Sequence, residues 1–299
     1  MTLYSQQSHN VWKTWLLMAC FLAVLAGVGY FLSLYYGNPL IFTIAIVISV
    51  LMNIGSYWFS DKIVLKLSHA RAVTRQEFPD LWNVTENLAI AAGLPMPKLY
   101  IIDDPSPNAF ATGRNKQHSA VAVTTGLMAI LDRPELEGVV AHELAHIGNR
   151  DILLMSVVAV LVGCIALAGD FFLRSQIFGG GGRSKDNGNQ LVMIIGIVFL
   201  ILSPIVATVI KLAVSRRREF LADATGALMT RYPEGLAGAL RKISSHGKPL
   251  RHAHAATAHM FISNPLKEGG DEKVSGFAKL FMTHPPTGER IAALLGQKV

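Results

Sequence analysis

The chain has 299 residues, of which 51% are hydrophobic and only 16% charged, and its mean hydropathy is +0.39. This balance is typical of an integral membrane protein and excludes an ordinary soluble domain. The formal net charge of +7 comes largely from Lys and Arg beside apolar runs, and basic residues are not interleaved with aromatic ones, so the sequence predicts no nucleic-acid partner.

Four apolar runs are long enough to cross a bilayer, which takes about 20 residues. They span residues 15–34, 39–59, 152–173 and 190–212. Only residues 35–38 separate the first two, so these predict a membrane hairpin whose second helix begins at Pro39. A cleaved signal peptide is the alternative for the first run, but its apolar core is long and a second run follows at once. For the third and fourth runs, which contain Asp170 and Pro204, the alternative is a hairpin buried against the protein or lying in the interface.

The distribution of positive charge predicts the orientation in the membrane. The loop between the first two runs has no Lys or Arg. Basic residues lie at the end of the second and fourth runs or directly after them: Lys62, Lys66, Arg71, Arg75, Lys211, Arg216, Arg217 and Arg218. We therefore expect both termini, the segment 60–150 and the segment after 213 to face the cytoplasm.

The segment between the second and third runs predicts a small sheet followed by a helix. Apolar residues at helical spacing over 78–92 predict a helix that ends at Gly93. Short strands are predicted at residues 98–102, 108–112 and 119–125. Pro134 suits the first turn of a further helix, which gives an α+β arrangement.

That further helix carries the stretch VVAHELAHI at residues 139–147. His142 and His146 are four residues apart, so on a helix both imidazoles lie on one face and can reach one metal ion. Glu143 is turned by roughly 100° about the axis, where it can contact a metal-bound water. This is the logic of the H-E-x-x-H motif, which supplies two ligands and a general base. The alternative is a pair of hydrogen-bonded histidines on an amphipathic helix.

A catalytic zinc needs a third protein ligand and an open position for water. Glu219, in the stretch REFLAD at residues 218–223, is a candidate for the third ligand. Asp223 lies one helical turn further along and can hold a ligand imidazole by its other N–H. The alternative is a solvated charged face beside Arg216, Arg217 and Arg218.

Together these motifs resemble the HtpX membrane proteases, gluzincin metallopeptidases in the group that includes the CAAX prenyl endopeptidase. The resemblance covers most of the chain and is weakest at residues 245–275. The matching stretches are AHELAHI at 141–147, Glu219 with Asp223, NAFATG at 108–113, and HPPT at 284–287 with Arg290.

The resemblance implies a mostly helical α+β integral membrane protein. It would have two hydrophobic helical hairpins and a zincin-like cytoplasmic catalytic domain that contains a small β-sheet. The implied parts are a transmembrane hairpin at 1–60, the first part of the peptidase domain at 61–150, a second hydrophobic hairpin at 151–213, and the second part of the peptidase domain at 214–299.

The resemblance also implies the roles of the site residues. One Zn²⁺ per chain would be held by His142, His146 and Glu219, with Glu143 as the catalytic base. His284 would stabilise the oxyanion, although packing of the C-terminal segment is an alternative role. Arg290 is expected to contact substrate. So is an edge strand formed by Asn108, Ala109, Phe110 and Ala111, which can hold an extended peptide by main-chain hydrogen bonds.

The implied function is an endopeptidase of the bacterial inner membrane, acting in quality control and stress response. Its partners would be the lipid bilayer and misfolded membrane proteins or unfolded polypeptides. A non-catalytic scaffold or metal-handling protein with a pseudo-active site is the alternative, against which the intact Glu143 argues. A prenyl-peptide protease is a third hypothesis, but that relative has more membrane spans than the four runs counted here.

The remaining candidate metal ligands have simpler explanations. Both cysteines, Cys20 and Cys164, lie in apolar runs, so neither a disulfide nor a Cys-based metal site is predicted. Four histidines close in sequence could bind a second metal, but a polar, poorly ordered cytoplasmic segment is the favoured explanation. They are His246, His252, His254 and His259.

Overall fold

The computed structural model describes residues 3–178, 215–246, 249–251, 254, 256–265 and 285–297. Within these ranges the protein is mostly helical and contains one four-stranded sheet. The helices are α1 Leu3–Tyr36, α2 Pro39–Leu67, α3 Pro79–Ala91, α4 Thr125–Ile130, α5 Arg133–Gly148, α6 Asp151–Phe178, α7 Arg216–Thr230, α8 Pro233–Ser245 and α9 Thr287–Leu294, with a 3-10 turn at Ala258–Met260.

Helices α1 and α2 form the predicted hairpin. Gly37 has φ +62° in the turn, and the Asn38 side chain caps α2 by accepting a hydrogen bond from the Leu40 amide at 3.0 Å. Both helices expose large apolar side chains along their length, which a bilayer would cover. Trp15 and Tyr35 lie at opposite ends of the apolar run of α1, about 30 Å apart at helical rise, which matches the thickness of a hydrocarbon core.

Two of the described helices, α1 and α2, are long and apolar enough to cross a membrane. The stretch that joins α5 to the first part of α6, up to Ile165, becomes a third candidate only if its two helices, bent by 86° at their junction, count as one broken span. Residues 152–163 of the third apolar run are buried by the rest of the protein. This burial agrees with the alternative of a segment packed against the protein, at least over that part of the run. The fourth run, 190–212, lies outside the described residues.

The sheet contains the three predicted strands and one short additional strand. The strands are β1 Arg71–Ala72, β2 Lys98–Ile102, β3 Ala109–Asn115 and β4 His118–Thr124. Their order is β1-β2-β4-β3, with β2 parallel to β4 and the other two pairings antiparallel. Strand β3 therefore lies at an edge of the sheet, as predicted for the segment that begins at Asn108.

Helix α5 lies at the centre of the protein and is buried on nearly all sides. Its start is fixed by a capping box in which Asp132 accepts from the Glu135 amide and Glu135 accepts from the Asp132 amide, both at 3.0 Å. Apolar residues of α5 pack with those of the sheet, α3 and α8 in one core. Gly138 is required where α8 crosses, because a Cβ there would lie 2.6 Å from the Leu236 backbone nitrogen.

Candidate metal centre

Two histidines of α5 converge on one point inside the protein. The Nε2 atoms of His142 and His146 are 3.2 Å apart, and the two residues are 1% and 4% exposed. Two nitrogens that bind one tetrahedral zinc at its usual bond length lie roughly 3.3 Å apart. The imidazole pair therefore has the spacing of two ligands of a single ion.

Glu219 reaches the same point from α7, on the far side of the second apolar region of the chain. Its Oε1 lies 3.6 Å from His146 Nε2, and its Oε2 lies 3.9 Å from His142 Nε2. Close approach of the two helices depends on Gly226, where a Cβ would lie 3.0 Å from the His142 backbone nitrogen. The three ligand atoms all lie within 4.8 Å of one another, and the carboxylate and two imidazoles form a donor set that suits zinc.

The outer nitrogen of His142 is held by Asp223, one turn along α7 from Glu219. Asp223 Oδ1 is 2.9 Å from His142 Nδ1. Arg290 of α9 forms a bidentate pair with the same carboxylate, at 2.8 Å from Nε to Oδ2 and 2.7 Å from Nη2 to Oδ1. Its Nη1 donates to the Ile262 carbonyl at 3.1 Å. Asp223 thus lies where the sequence predicts it, with a cationic partner that the sequence does not predict.

The outer nitrogen of His146 is held by a second carboxylate, which sequence reasoning missed. Asp151 Oδ2 is 3.0 Å from His146 Nδ1. The other oxygen of Asp151 accepts from Asn10 Nδ2 at 2.7 Å, and the same amide donates to the Asn149 carbonyl at 3.1 Å. Arg218 Nη1 donates to Asn10 Oδ1 at 3.3 Å. Each imidazole therefore presents Nε2 to the site because a carboxylate binds its Nδ1.

Burial and nearby charges shift the pKa values of the side chains in the metal-free site in different directions. Burial lowers the pKa of His142 to about 4, so this ring is neutral at physiological pH. Burial also opposes the charged form of His146, but the hydrogen bond to Asp151 and the charge of Glu219 outweigh it and raise the pKa to about 9. Burial raises the pKa of Glu143 to about 7, the range suited to a general base.

Glu143 lies beside strand β3, the predicted substrate strand. Its carboxylate is buried and forms a hydrogen bond with the Ala111 backbone. Two residues earlier, the Ala109 carbonyl accepts from the Ile262 amide at 2.9 Å. The edge strand β3 is thus partly paired with the segment around Ile262.

The other residues of the predicted substrate strand contact the protein itself. Asn108 Nδ2 donates to the Ser263 carbonyl at 2.9 Å, and Asn108 Oδ1 accepts from the Ser263 amide at 3.2 Å. Phe110 is fully buried, and its ring packs edge-on against Phe261 at 4.9 Å between centroids. Arg290, predicted to contact substrate, is 2% exposed and instead binds Asp223.

The remaining histidines divide between the surface, the core and the part outside the described residues. His246 and His254 are exposed, whereas His259 is buried with its Nε2 3.0 Å from the Met155 carbonyl oxygen. The expectation of a polar, poorly ordered segment is therefore wrong for His259. Within the described residues, the only three close ligands are His142, His146 and Glu219. The predicted oxyanion residue His284, and His252, lie outside them.

Comparison with known proteins gives one family. A model of peptidase family M48 matches residues 75–298. A protein named protease HtpX homolog from Caldanaerobacter subterraneus subsp. tengcongensis is 48% identical over 299 residues, which covers 98% of this chain and 97% of the relative. A protein of the same name from Pyrococcus furiosus is 48% identical over 284 residues, or 94% of each chain.

A solved structure also resembles this chain. The crystal structure of S. mikatae Ste24p aligns with a TM-score of 0.51 over 97% of this chain and 67% of that one. The two sequences are 17% identical, so the likeness concerns the fold alone.

Proposed function

Because the chain belongs to peptidase family M48 and, within it, to the HtpX metalloproteases, we propose that its metal is a zinc ion held by His142, His146 and Glu219. The observation that carries this proposal is the convergence of these three buried ligand atoms to within 4.8 Å. The Nδ1 atoms of both rings bind carboxylates, so both Nε2 atoms are oriented for a metal. Three protein ligands leave the fourth position open, as in catalytic zinc sites.

When bound, zinc supplies a Lewis acid that polarises the scissile carbonyl and lowers the pKa of a water molecule. Glu143 accepts the proton of the attacking water and then donates it to the leaving amine. Glu143 is buried, interacts electrostatically with His146 and Glu219, and is hydrogen-bonded to the Ala111 backbone. These surroundings support its role as the base. His284 remains the predicted oxyanion donor.

The substrate is proposed to be a misfolded or damaged membrane protein that enters as an extended strand. Two observations support it. Strand β3 is an edge strand beside Glu143, and edge strands bind extended peptides through main-chain hydrogen bonds. The catalytic helix α5 is followed, after the 86° bend, by α6, whose apolar residues pack against the membrane helix α1, so the site lies close to the N-terminal hairpin.

The topology follows from the flanking charges. We place the catalytic domain on the cytoplasmic side of the cytoplasmic membrane, with 61–150 and 214–299 as its two parts. Basic residues after α2, among them Lys62 and Lys66, support this orientation. A role in stress-responsive quality control of bacterial membranes belongs to the same proposal.

Proteolysis by the full-length protein in detergent tests the proposal. The protein is purified with a chelator present, zinc is added, and cleavage of an unfolded protein such as casein is compared between wild type and Glu143→Gln. We expect the variant to bind zinc with unchanged stoichiometry and to lose cleavage. Equal cleavage by both proteins would contradict the role of Glu143, and zinc binding without cleavage by either would favour the alternative of a non-catalytic metal-handling protein.

A further inference from the structure

The side chain of Asn10, on the N-terminal membrane helix, hydrogen-bonds to the network around the metal ligands. It lies on α1, one turn before Thr14, and is 4% exposed. Both N–H donors of its side-chain amide are used, to Asp151 Oδ1 and the Asn149 carbonyl, and the amide oxygen accepts from Arg218. These three contacts fix the orientation of the amide.

The three partners of Asn10 belong to different parts of the metal centre. Asp151 holds His146 by Nδ1, and Asn149 forms the corner at which α5 ends. Arg218 immediately precedes Glu219 on α7. One side chain of α1 therefore joins the two elements that supply the ligands, over sequence separations of 139, 141 and 208 residues.

The contact with Asp151 is the one most relevant to the metal. The Asp151 carboxylate is 1% exposed, and the 2.7 Å bond from Asn10 is the shortest contact of its Oδ1. Arg218 Nε is further away, at 3.8 Å. Without the Asn10 donor, a buried carboxylate oxygen of Asp151 would lose its hydrogen bond. The carboxylate could then rotate, which would weaken its hydrogen bond to His146.

Apolar packing brings Asn10 to this position. In the turns that follow, Leu17, Met18 and Phe21 of α1 pack against Leu153, Leu154 and Val157 of α6. This packing is continuous with the Asn10 contact, because α6 begins at Asp151 itself. The apolar contacts that dock α1 and the hydrogen bond that orients Asp151, and through it His146, thus belong to one interface.

We propose that Asn10 is a positioning residue for the metal centre: by holding Asp151 and Arg218, it makes metal affinity depend on docking of the N-terminal membrane helix. The inference rests on the metal site of the proposed function. It assigns to the membrane hairpin a role in assembling the site in addition to anchoring the protein.

Metal affinity in the full-length protein tests this role, because anchoring alone would not change it. All variants carry Glu143→Gln, which prevents self-cleavage, and zinc affinity is measured by competition with a chelator in detergent. We expect Asn10→Ala to weaken zinc binding about 10-fold, the lower end of the effect of outer-shell changes. The visible spectrum of the cobalt-loaded variant should also differ from that of wild type, since the orientation of His146 changes.

Thr14→Val provides the matched control. Thr14 is 1% exposed on the same helix, and its hydroxyl donates to the backbone carbonyl of Asn10 at 2.9 Å, not to the side-chain amide. Valine keeps the shape and burial of this side chain, so zinc affinity should change less than about twofold. If Asn10→Ala does not fold, Asn10→Asp keeps the size and the acceptor for Arg218, lacks the donor for Asp151, and is expected to weaken binding at least as much.

A double-mutant comparison separates action through Asp151 from a general effect. Adding Asn10→Ala to Asp151→Asn should cost little beyond Asp151→Asn alone. The inference is overturned if Asn10→Ala binds zinc within about twofold of wild type, if Thr14→Val loses as much, or if the two changes are additive. Failure of the parent protein to bind zinc would instead refute the proposed metal site itself.

Discussion

Replacing Arg290 by Met tests how the buried network around His142 is held together. Arg290 and Asp223 are each 2% exposed, and two of the guanidinium N–H groups bind the carboxylate. Methionine fills a similar volume but leaves a buried carboxylate without its cation. Removal of one partner of a buried ion pair costs about 3–5 kcal/mol, and the Ile262 carbonyl also loses its donor.

The assay is denaturant unfolding of the full-length protein in detergent, with a chelator present. Arg290→Met should lower the free energy of unfolding by about 3–5 kcal/mol. Arg133→Met is the matched control, because Arg133 pairs with Glu137 at 3.2 Å but has a side chain that is 63% exposed. Exposed pairs contribute at most about 1 kcal/mol, so this variant should remain close to wild type.

The pH dependence of the loss adds a second test. Burial alone would raise the pKa of Asp223, but the charge and hydrogen bonds of Arg290 hold it below its usual value in wild type. The stabilisation is therefore present above the unfolded pKa of aspartate and is lost only as pH falls through the lowered value. In Arg290→Met the carboxyl can relieve its burial by protonation, so the penalty should shrink as pH falls from 8 towards 5. An equal loss in both variants, or a penalty independent of pH, would refute the reasoning.

Two further predictions concern metal binding. At pH 7.5, zinc binding should displace the proton of His146, because the pKa of this imidazole is about 9 in the metal-free site. Calorimetry in buffers of different ionisation enthalpy measures the protons released, and no release at pH 7.5 would contradict the pairing with Asp151. Gly226→Val should force α7 away from α5, which should cost about 1–3 kcal/mol of stability and weaken zinc binding. Gly288 has open space around it, so the control Gly288→Val should leave zinc affinity unchanged. Equal zinc affinities in the two variants would contradict the close approach of α7 to α5.

The parts of the site that the sequence predicts are those set by local periodicity. Two histidines four residues apart on a helix must share a face, and the same holds for Glu219 and Asp223. The hairpin turn at Asn38 and Pro39 and the three longer strands also follow from local patterns. Each of these features depends on a few neighbouring residues, so one sequence is enough to find it.

The remaining parts of the site depend on contacts that local patterns do not encode. Asp151 binds His146 only because the chain bends by 86° between α5 and α6, with Arg150 at φ +59°. An unbroken helix would turn position 151 away from that ring. Asn10 and Arg290 come from distant segments of the chain. The sequence shows Asn10 only as a polar residue beside an apolar run, and Arg290 only as a basic residue in a motif that matches the family.

The surroundings of the third apolar run also depend on contacts that local patterns do not encode. Composition shows that residues 152–173 are apolar, but it does not show what covers them. Residues 152–163 are covered by α1, α2 and the sheet, and a polar residue, Ser156, bonds Thr112 at 2.8 Å within that interface. Hydropathy alone cannot separate lipid from protein as the apolar surroundings.

Zinc stoichiometry in Glu219→Ala is the most direct test of a metal centre assembled from two distant parts of the chain. The full-length protein is loaded with zinc, freed of excess metal, and measured for metal per chain, with the exposed Glu234→Ala as control. We expect one zinc per chain in wild type and in Glu234→Ala, and an affinity for Glu219→Ala that is lower by more than about 100-fold, beyond the effect of outer-shell changes. One zinc per chain at unchanged affinity in Glu219→Ala would contradict it.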